Sequence, residues 1–339
     1  MLALLLLSTV LASSSSSELD LPTVTEALRS SPALLKLFAH HTADLGLAYS
    51  SAEAPLRLRL FRKTLNLIDE VNSDADLGWK AGVNFCAALT EAEKAAYNGF
   101  NASGTLNPDA PTIAALPAVE AAIDWRTRGA VTSIKRQIGG SCWTYSTVHC
   151  VEGMFQILTG RLVEFAEQEL LDCVYEGTGH DGANGGMQNV AYDWLTEHQR
   201  LAPRTAYPQV GGDNVCNNQN KANGLDGVRV NGFTKIPKNE QGMVNALNRG
   251  PISTNFHATQ YTTVYSSGVF HDPTCRSGFY SLNHAVTAVG YTAHVFIIKN
   301  SYGTGWGEQG YARFRRGWHG CGLFQDNMIV ELAFDHEEE

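Results

Sequence analysis

At 339 residues the chain is long for one hydrophobic core, so two or more packed units are expected. A hydrophobic content of 44% with 17% charged residues excludes a disordered chain. A formal net charge of −9 without any Lys/Arg cluster excludes nucleic acid as a partner, and the short run Arg313, Arg315, Arg316 alternates like one face of a strand.

Residues 1–17 (MLALLLLSTVLASSSSS) read as a signal peptide. Their apolar part, Leu2 to Ala12, is too short to span a bilayer and is followed by small residues, although a basic n-region is missing. No later segment reaches the roughly 20 apolar residues of a membrane span. The mature chain is therefore expected off the membrane, in an oxidising compartment that permits disulfides. Residues 23–72 read as helices. Pro32 suits a first turn, Leu34, Leu35, Leu37 and Phe38 form one apolar stripe, and Leu56, Leu60, Leu65 and Ile68 mark a second run from Ala54 to Val71. Residues 101–118 are rich in Pro, Ala, Asn and Ser and read as a linker, and they carry a glycosylation sequon at Asn101. Beyond Ile123, helical patterns come first (Cys142–Thr159, Phe165–Leu171, Met187–His198). Strand patterns follow: Val228–Ile236, Ile252–Phe256, Ala285–Val289, Val295–Lys299 and Tyr311–Arg315. A helix-rich half before a β-rich half predicts an α+β chain of two subdomains with a cleft between them.

Seven cysteines, an odd number, leave at least one thiol unpaired. Cys142 follows Gly139-Gly140-Ser141 and opens a helical pattern. A thiol there meets the positive end of the helix dipole, which favours the nucleophilic thiolate. A cysteine alone is more often buried or bridged, and a lone strand histidine is more often structural. A thiol nucleophile, however, needs a base, and the base needs a third group to hold its ring. His284, at the start of one strand, and Asn300, at the end of another, supply both. A zinc site on Cys142, His149 and Cys150 is disfavoured, because only spacings of three or four share a helix face. No metal or other cofactor is expected.

Several ordered motifs carry a resemblance. Gly140-Ser141-Cys142-Trp143, Glu167-Gln168-Glu169-Leu170-Leu171-Asp172-Cys173, Asn184-Gly185-Gly186, Asn283-His284-Ala285-Val286, Lys299-Asn300-Ser301 and Gly303-Thr304-Gly305-Trp306-Gly307 resemble, in order, those of the papain and cathepsin L family of cysteine proteases. Upstream, Glu53, Arg57, Phe61, Thr64, Ile68 and Asn72 resemble that family's ERFNIN propeptide helix, with Thr64 where Asn is usual. Gly82-Val83-Asn84-Phe85 resembles the next propeptide motif, although the Asp expected shortly after it is Ala88. The resemblance implies an inhibitory propeptide over residues 18–115 that lies in the cleft. A papain-like peptidase domain over 116–339 would follow, its mature form beginning between about Leu116 and Ile123.

The resemblance also implies roles. Cys142 would be the nucleophile, His284 the base and later acid, Asn300 its orienting partner, and Gln137 an oxyanion donor, although the loop from Gln137 to Cys142 is one residue short. Tyr302 stands where Trp usually covers the His–Asn hydrogen bond. Substrate would meet Gly185, Gly186, Met187, Asn255, Leu282, Asp326 and Trp306, with Gln188 beside the pocket for the P2 side chain and Asp326 at its floor. Disulfides would join Cys173 to Cys216 and Cys275 to Cys321. A third family bridge is absent at both ends, Gly139 and Ala183, which leaves Cys86 and Cys150 unpaired. The implied activity is endopeptidase, since no His-rich occluding insertion is present. The implied partners are protein and peptide substrates, the chain's own propeptide and cystatin-type inhibitors, on a monomer of the lysosome, a digestive vacuole or the extracellular space. The alternative is an inactive homologue that serves as a binding or storage protein.

Overall fold

The structure is a computed structural model that describes residues 21–101, 110–114, 118–174, 182–217, 219 and 222–335. The expected signal peptide, 1–17, lies outside the described residues.

Three helices open the chain: α1 (Val24–Arg29), α2 (Ser31–Asp44) and α3 (Ala54–Ser73). Thr23 and Glu26 form a capping box at α1, and Pro32 sits in the first turn of α2. The apolar stripes meet between α2 and α3, where the Phe38 and Phe61 rings lie 5.3 Å apart. Four residues of the ERFNIN-like pattern, Arg57, Phe61, Thr64 and Ile68, are buried on one face of α3. The last of the six, Asn72, uses both ends of its amide on the Ala81 backbone, donating at 3.0 Å and accepting at 2.9 Å. Ala81 ends the short strand β1 (Trp79–Ala81). Arg57 is the polar centre of this unit. Its guanidinium donates to both carboxylate oxygens of Glu93 in α4 (Glu91–Ala95), at 2.5 and 2.6 Å, and to the Ala88 carbonyl at 3.1 Å. That bidentate bond holds the Glu93 carboxyl down to about 2.

After β2 (Ile123–Asp124) come α5 (Cys142–Thr159), α6 (Glu167–Cys173) and α7 (Gln188–His198). The β-rich half follows with β3 (Val228–Lys235), α8 (Glu240–Leu247), β4 (Ile252–Phe256), α9 (Gln260–Val264) and β5 (Tyr265–Phe270). It ends with β6 (His284–Tyr291), β7 (Val295–Lys299), β8 (Tyr311–Arg315) and β9 (Met328–Phe334). The strand order is β1-β5-β8-β7-β6-β4-β9-β3, and β2 pairs with β6. Two ties cross the two halves. The short β2 leaves the start of the peptidase region on the far sheet, and β1 adds the N-terminal unit to the sheet's edge at β5.

Compared with the sequence expectations, α6 lies two residues later, β6 starts at His284 itself, and α4, α8, α9, β1, β2, β5 and β9 are additional. The run Met328–Phe334 lacks the alternation of a half-exposed strand because its first half is buried from both sides. Both expected disulfides, Cys173–Cys216 and Cys275–Cys321, are formed, and Cys86, Cys142 and Cys150 are free and buried. The Cys150 thiol donates to the Pro251 carbonyl. A Cβ built on Gly139 would lie 3.7 Å from that of Ala183, within bridging distance for a pair of cysteines. Gly139 itself sits at φ +55°, a backbone conformation that a cysteine rarely adopts, so a bridge here would require the loop to shift.

Arg57→Met should destabilise the N-terminal unit by about 1–2 kcal/mol, less than a fully buried pair because Glu93 is 39% exposed and screened. Differential scanning calorimetry of the full-length chain checks this; an unchanged first transition would show that the Arg57 bonds contribute nothing net.

Candidate active site

Cys142 is the first residue of α5. The N-cap Ser141 turns its hydroxyl back to the Ile138 carbonyl (2.8 Å) and makes no side-chain cap on the helix. The helix N-terminus therefore turns the Cys142 and Trp143 N–H groups toward the thiol. The Cys142 Sγ accepts from the Ala285 N–H at 3.4 Å, which brings the start of β6 against the start of α5. His284, one residue earlier on β6, bonds through Nε2 to Asn300 Oδ1 at 2.9 Å. That oxygen also accepts the Ser301 N–H at 2.8 Å, so Nε2 is the protonated nitrogen and the Nδ1 lone pair is left free. Nδ1 is buried with no hydrogen-bond partner. The Tyr302 ring covers the imidazole at 4.8 Å. Behind it Trp306 is 2% exposed and donates its indole N–H to the Thr262 carbonyl, so it backs Tyr302 at the rear of the site.

The Gln137 side chain faces the same point. Its Oε1 accepts from Ser301 Oγ (2.6 Å), which orients the amide, and its Nε2 donates to the Gly139 carbonyl (2.7 Å) and to that of Tyr97 (2.9 Å). The shortened loop thus still turns the Gln137 amide toward the helix start. Cys142, His149 and Cys150 are not brought together as metal ligands: His149 pairs with Thr287 and Cys150 with Pro251.

Tyr97 belongs to the N-terminal unit, whose following residues fill the cleft. The Gly186 N–H donates to the Gly99 carbonyl (2.9 Å), the Asn101 N–H to the Gly186 carbonyl (3.2 Å), and the Phe100 N–H to the Asn283 carbonyl (3.0 Å). Phe100 pairs with Gly186 as a parallel bridge. The Gly99 N–H lies toward the Cys142 thiol, so the nucleophile meets an amide hydrogen where a substrate would present a carbonyl carbon. A Cβ on Gly99 would fall 1.6 Å from the Gly140 oxygen, so only glycine passes. Asn101, the sequon residue, is exposed at the exit of the cleft.

Burial under this segment sets the charge state. It pushes the Cys142 thiol up to about 11 against the N–H groups of Ala285 and Gly99. It also pushes His284 down to about 4 against the Asn300 hydrogen bond. Near neutral pH both are uncharged, and a thiol hydrolase needs them as thiolate and imidazolium.

Of the remaining expected residues, Gly185 and Gly186 line the segment's path, and Met187, Leu282 and Asn255 are buried. Asn255 donates to both the carboxylate and the carbonyl of Asp326, each at 3.0 Å, and Gln188 fixes its amide at 2.8 Å. Asp326 is half-buried, and burial of its carboxyl raises it to about 6 against Lys238 and Lys235. Sequence reasoning missed Gly99 and Phe100. Their only signal is a glycine-aromatic pair just past the last helix of the N-terminal unit.

A thiol at a helix start, an imidazole held by an amide on the facing sheet, and an N-terminal segment threaded between them define a thiol hydrolase in its inhibited precursor form. Residues 119–330 match the papain family cysteine protease family. Cysteine proteinase 1 of Dictyostelium discoideum is 36% identical over 81% of this chain and 86% of its own, and fruit bromelain of Ananas comosus 32% over 84% and 81%. Among solved structures, a digestive procathepsin L 3 from the larval midgut of Tenebrio molitor superposes with a TM-score of 0.80 at 27% identity, covering 88% of this chain and 98% of that one. A recombinant stem bromelain precursor gives 0.79 at 30% identity, with the same coverage. The chain belongs to the papain family of cysteine proteases: it is a cysteine endopeptidase made as a zymogen, with its propeptide bound as an intramolecular inhibitor.

Gly99→Val should force the segment out of the cleft without touching the peptidase side. The unprocessed variant, assayed at neutral pH on a small fluorogenic dipeptide, is expected to turn over where the wild-type zymogen does not; an equally silent variant would show that Gly99 does not seat the inhibitor.

Proposed function

We propose that peptide bonds are cleaved through an acyl-enzyme on Cys142. The reading rests on one observation, the Nε2–Asn300 bond that leaves Nδ1 of His284 free while the neighbouring Ala285 N–H touches the thiol. Nδ1 accepts the thiol proton, the thiolate attacks the carbonyl carbon, and the imidazolium returns the proton to the departing amine. Gln137 Nε2 and the Cys142 N–H stabilise the oxyanion, where the Tyr97 carbonyl now sits. Asn300 holds the ring, and Tyr302 keeps water from the bond between them. Cys142→Ala should abolish hydrolysis in the processed enzyme, and Cys150→Ala, whose thiol faces Pro251, should retain most of it. Turnover by Cys142→Ala would end this mechanism.

The domain limits are read as signal peptide 1–17, propeptide 18–115 and peptidase 116–339. Acid releases the propeptide. The Arg57–Glu93 bond does not sense mild acid, because Glu93 stays charged down to about 2. His41 does. It is buried on α2 against Phe61, Nε2 has no partner, and burial lowers it to about 4 from 6.5, with Asp44 opposing and His40 adding. With His40 and Asp44 it faces Arg136 across a cavity of 520 Å³ between propeptide and peptidase. A depressed imidazole means that the unfolded propeptide takes up the proton first, so the fold of the propeptide, and with it its docking, weakens as pH falls from about 6.5 toward about 4. His284, also held near 4 under the segment, acts in the same direction. His41→Leu should therefore process only at lower pH than wild type, followed by gel shift across a pH series; an identical profile removes His41 from the mechanism.

Asp326 is read as the floor of the P2 pocket, where it accepts Arg as well as Leu. Its carboxyl must be charged to pair with Arg, so the Arg/Leu ratio of kcat/KM should rise as pH climbs through about 6 and collapse in Asp326→Ala. A ratio unchanged by the substitution removes Asp326 from P2 selection. The expected setting is the secretory pathway, ending in a lysosome, digestive vacuole or extracellular space. The enzyme is expected to act as a monomer, open to cystatin-type inhibitors. Among the described residues no helix is long and apolar enough to cross a membrane.

A further inference from the structure

The two sides of the cleft are chemically distinct, on the reading that His284 protonates the departing amine. The leaving residues must then pass over His284 and the Tyr302 ring tilted against it, while the acyl residues run the other way past Gly186. Arg136 stands on the leaving side. Its backbone pairs with Tyr302 as an antiparallel bridge, and the next residue is Gln137. The aliphatic stem lies along Gly303, with Cβ, Cγ and Cδ within 3.6 to 3.9 Å of the point where a Cβ on that glycine would be. The stem is thus laid along the loop that carries Tyr302, and the charged end is held at the rim.

This guanidinium has no ion pair among the described residues, whereas Arg204, Arg249, Arg313 and Arg316 each hold a carboxylate. In the zymogen its charge is covered by the propeptide Phe85 ring, 4.3 Å from the guanidinium carbon. Phe85 is itself seated by Tyr97 and Tyr302, at 5.1 and 5.5 Å, so its position follows from the packing of the propeptide. The carboxylate lining the same cavity, Asp44, is also on the propeptide. Maturation removes both and leaves an exposed, unpaired cation beside the path of the leaving residues.

We propose that Arg136 forms a carboxylate-binding subsite on the leaving side of the cleft. The mature enzyme then favours substrates with a carboxylate within the first two residues after the scissile bond, carried either by an Asp or Glu side chain or by the C-terminus. A guanidinium takes a carboxylate through two parallel N–H bonds, which gives the subsite a preferred geometry as well as a charge.

The test uses the processed enzyme and peptides that share one acyl side and differ only after the scissile bond, read by chromatography. Three amidated peptides carry Gln, Glu or Phe at the second leaving residue; a fourth carries Gln there and ends on it with a free carboxylate. Relative to the amidated Gln peptide, Glu or the free terminus should gain about three- to fivefold in kcat/KM, the range of a partly exposed ion pair. Whichever carboxylate gains identifies the source. The gain should fall to about one in Arg136→Gln and persist in part in Arg136→Lys, each normalised to its own Gln peptide so that a loss of folded enzyme cancels. A wild-type ratio of one for both carboxylates, a gain that survives Arg136→Gln, or a gain for Phe alone would overturn the proposal. Absence of any hydrolysis of the Gln peptide by wild-type enzyme would instead count against the catalytic reading on which the proposal rests.

Discussion

The site depends on how α5 lies against β6. One element carries the thiol and the other the imidazole, and they come from opposite halves of the chain. Ser146 on α5 donates to the Val286 carbonyl on β6 at 2.6 Å, one turn below the Ala285–Cys142 contact, so the register of helix on sheet is set by hydrogen bonds as well as by packing. Beneath them runs a buried ionic cluster. Lys135 bonds to Glu152 of α5 and Glu167 of α6 at 2.7 and 2.8 Å, and Arg204 takes the other oxygen of Glu167. Lys299, at the end of β7, reaches the cluster through Thr132 and is pulled down to about 8 by burial, against the pull of Glu152. Lys299 immediately precedes Asn300, so the cluster also anchors the residue that holds His284. Such buried charges add little net stability over an apolar core, but removing any one strands its partners, which enforces a single arrangement.

Inhibition follows from the same geometry. The segment Tyr97–Asn101 makes the backbone hydrogen bonds available to an extended chain in the cleft and puts an N–H where a carbonyl carbon is needed. It also excludes water. Desolvation alone moves thiol and imidazole in opposite directions, each toward its neutral form, so the precursor holds both uncharged without displacing either.

What the sequence made legible was whatever depends on local chemistry. The bounds of α5, β4, β7 and β8 agree with the hydrophobic pattern, and Cys142, His284 and Asn300 stand out because the roles proposed for them belong to side chains. The strand Met328–Phe334 was not legible, since a strand buried on both faces loses its period. Neither was the inhibitory segment, because its contacts are made by backbone groups that every residue type shares. Glu93 was missed as the partner of Arg57 because nothing local links residues 36 apart. The roles of Asp326 and Arg136 turn on which way a side chain points, and periodicity gives no information on that.

The buried thiol also has a chemical history to survive. Peroxides and alkylating agents react with thiolate and scarcely with thiol. A group raised to about 11 and shut from solvent offers almost none of the reactive form. The precursor therefore keeps this thiol out of reach of such reagents, while four other cysteines are committed to Cys173–Cys216 and Cys275–Cys321. The propeptide that withholds activity also serves as a redox shield. Once the segment leaves, the same thiol meets the solvent that it was shut from.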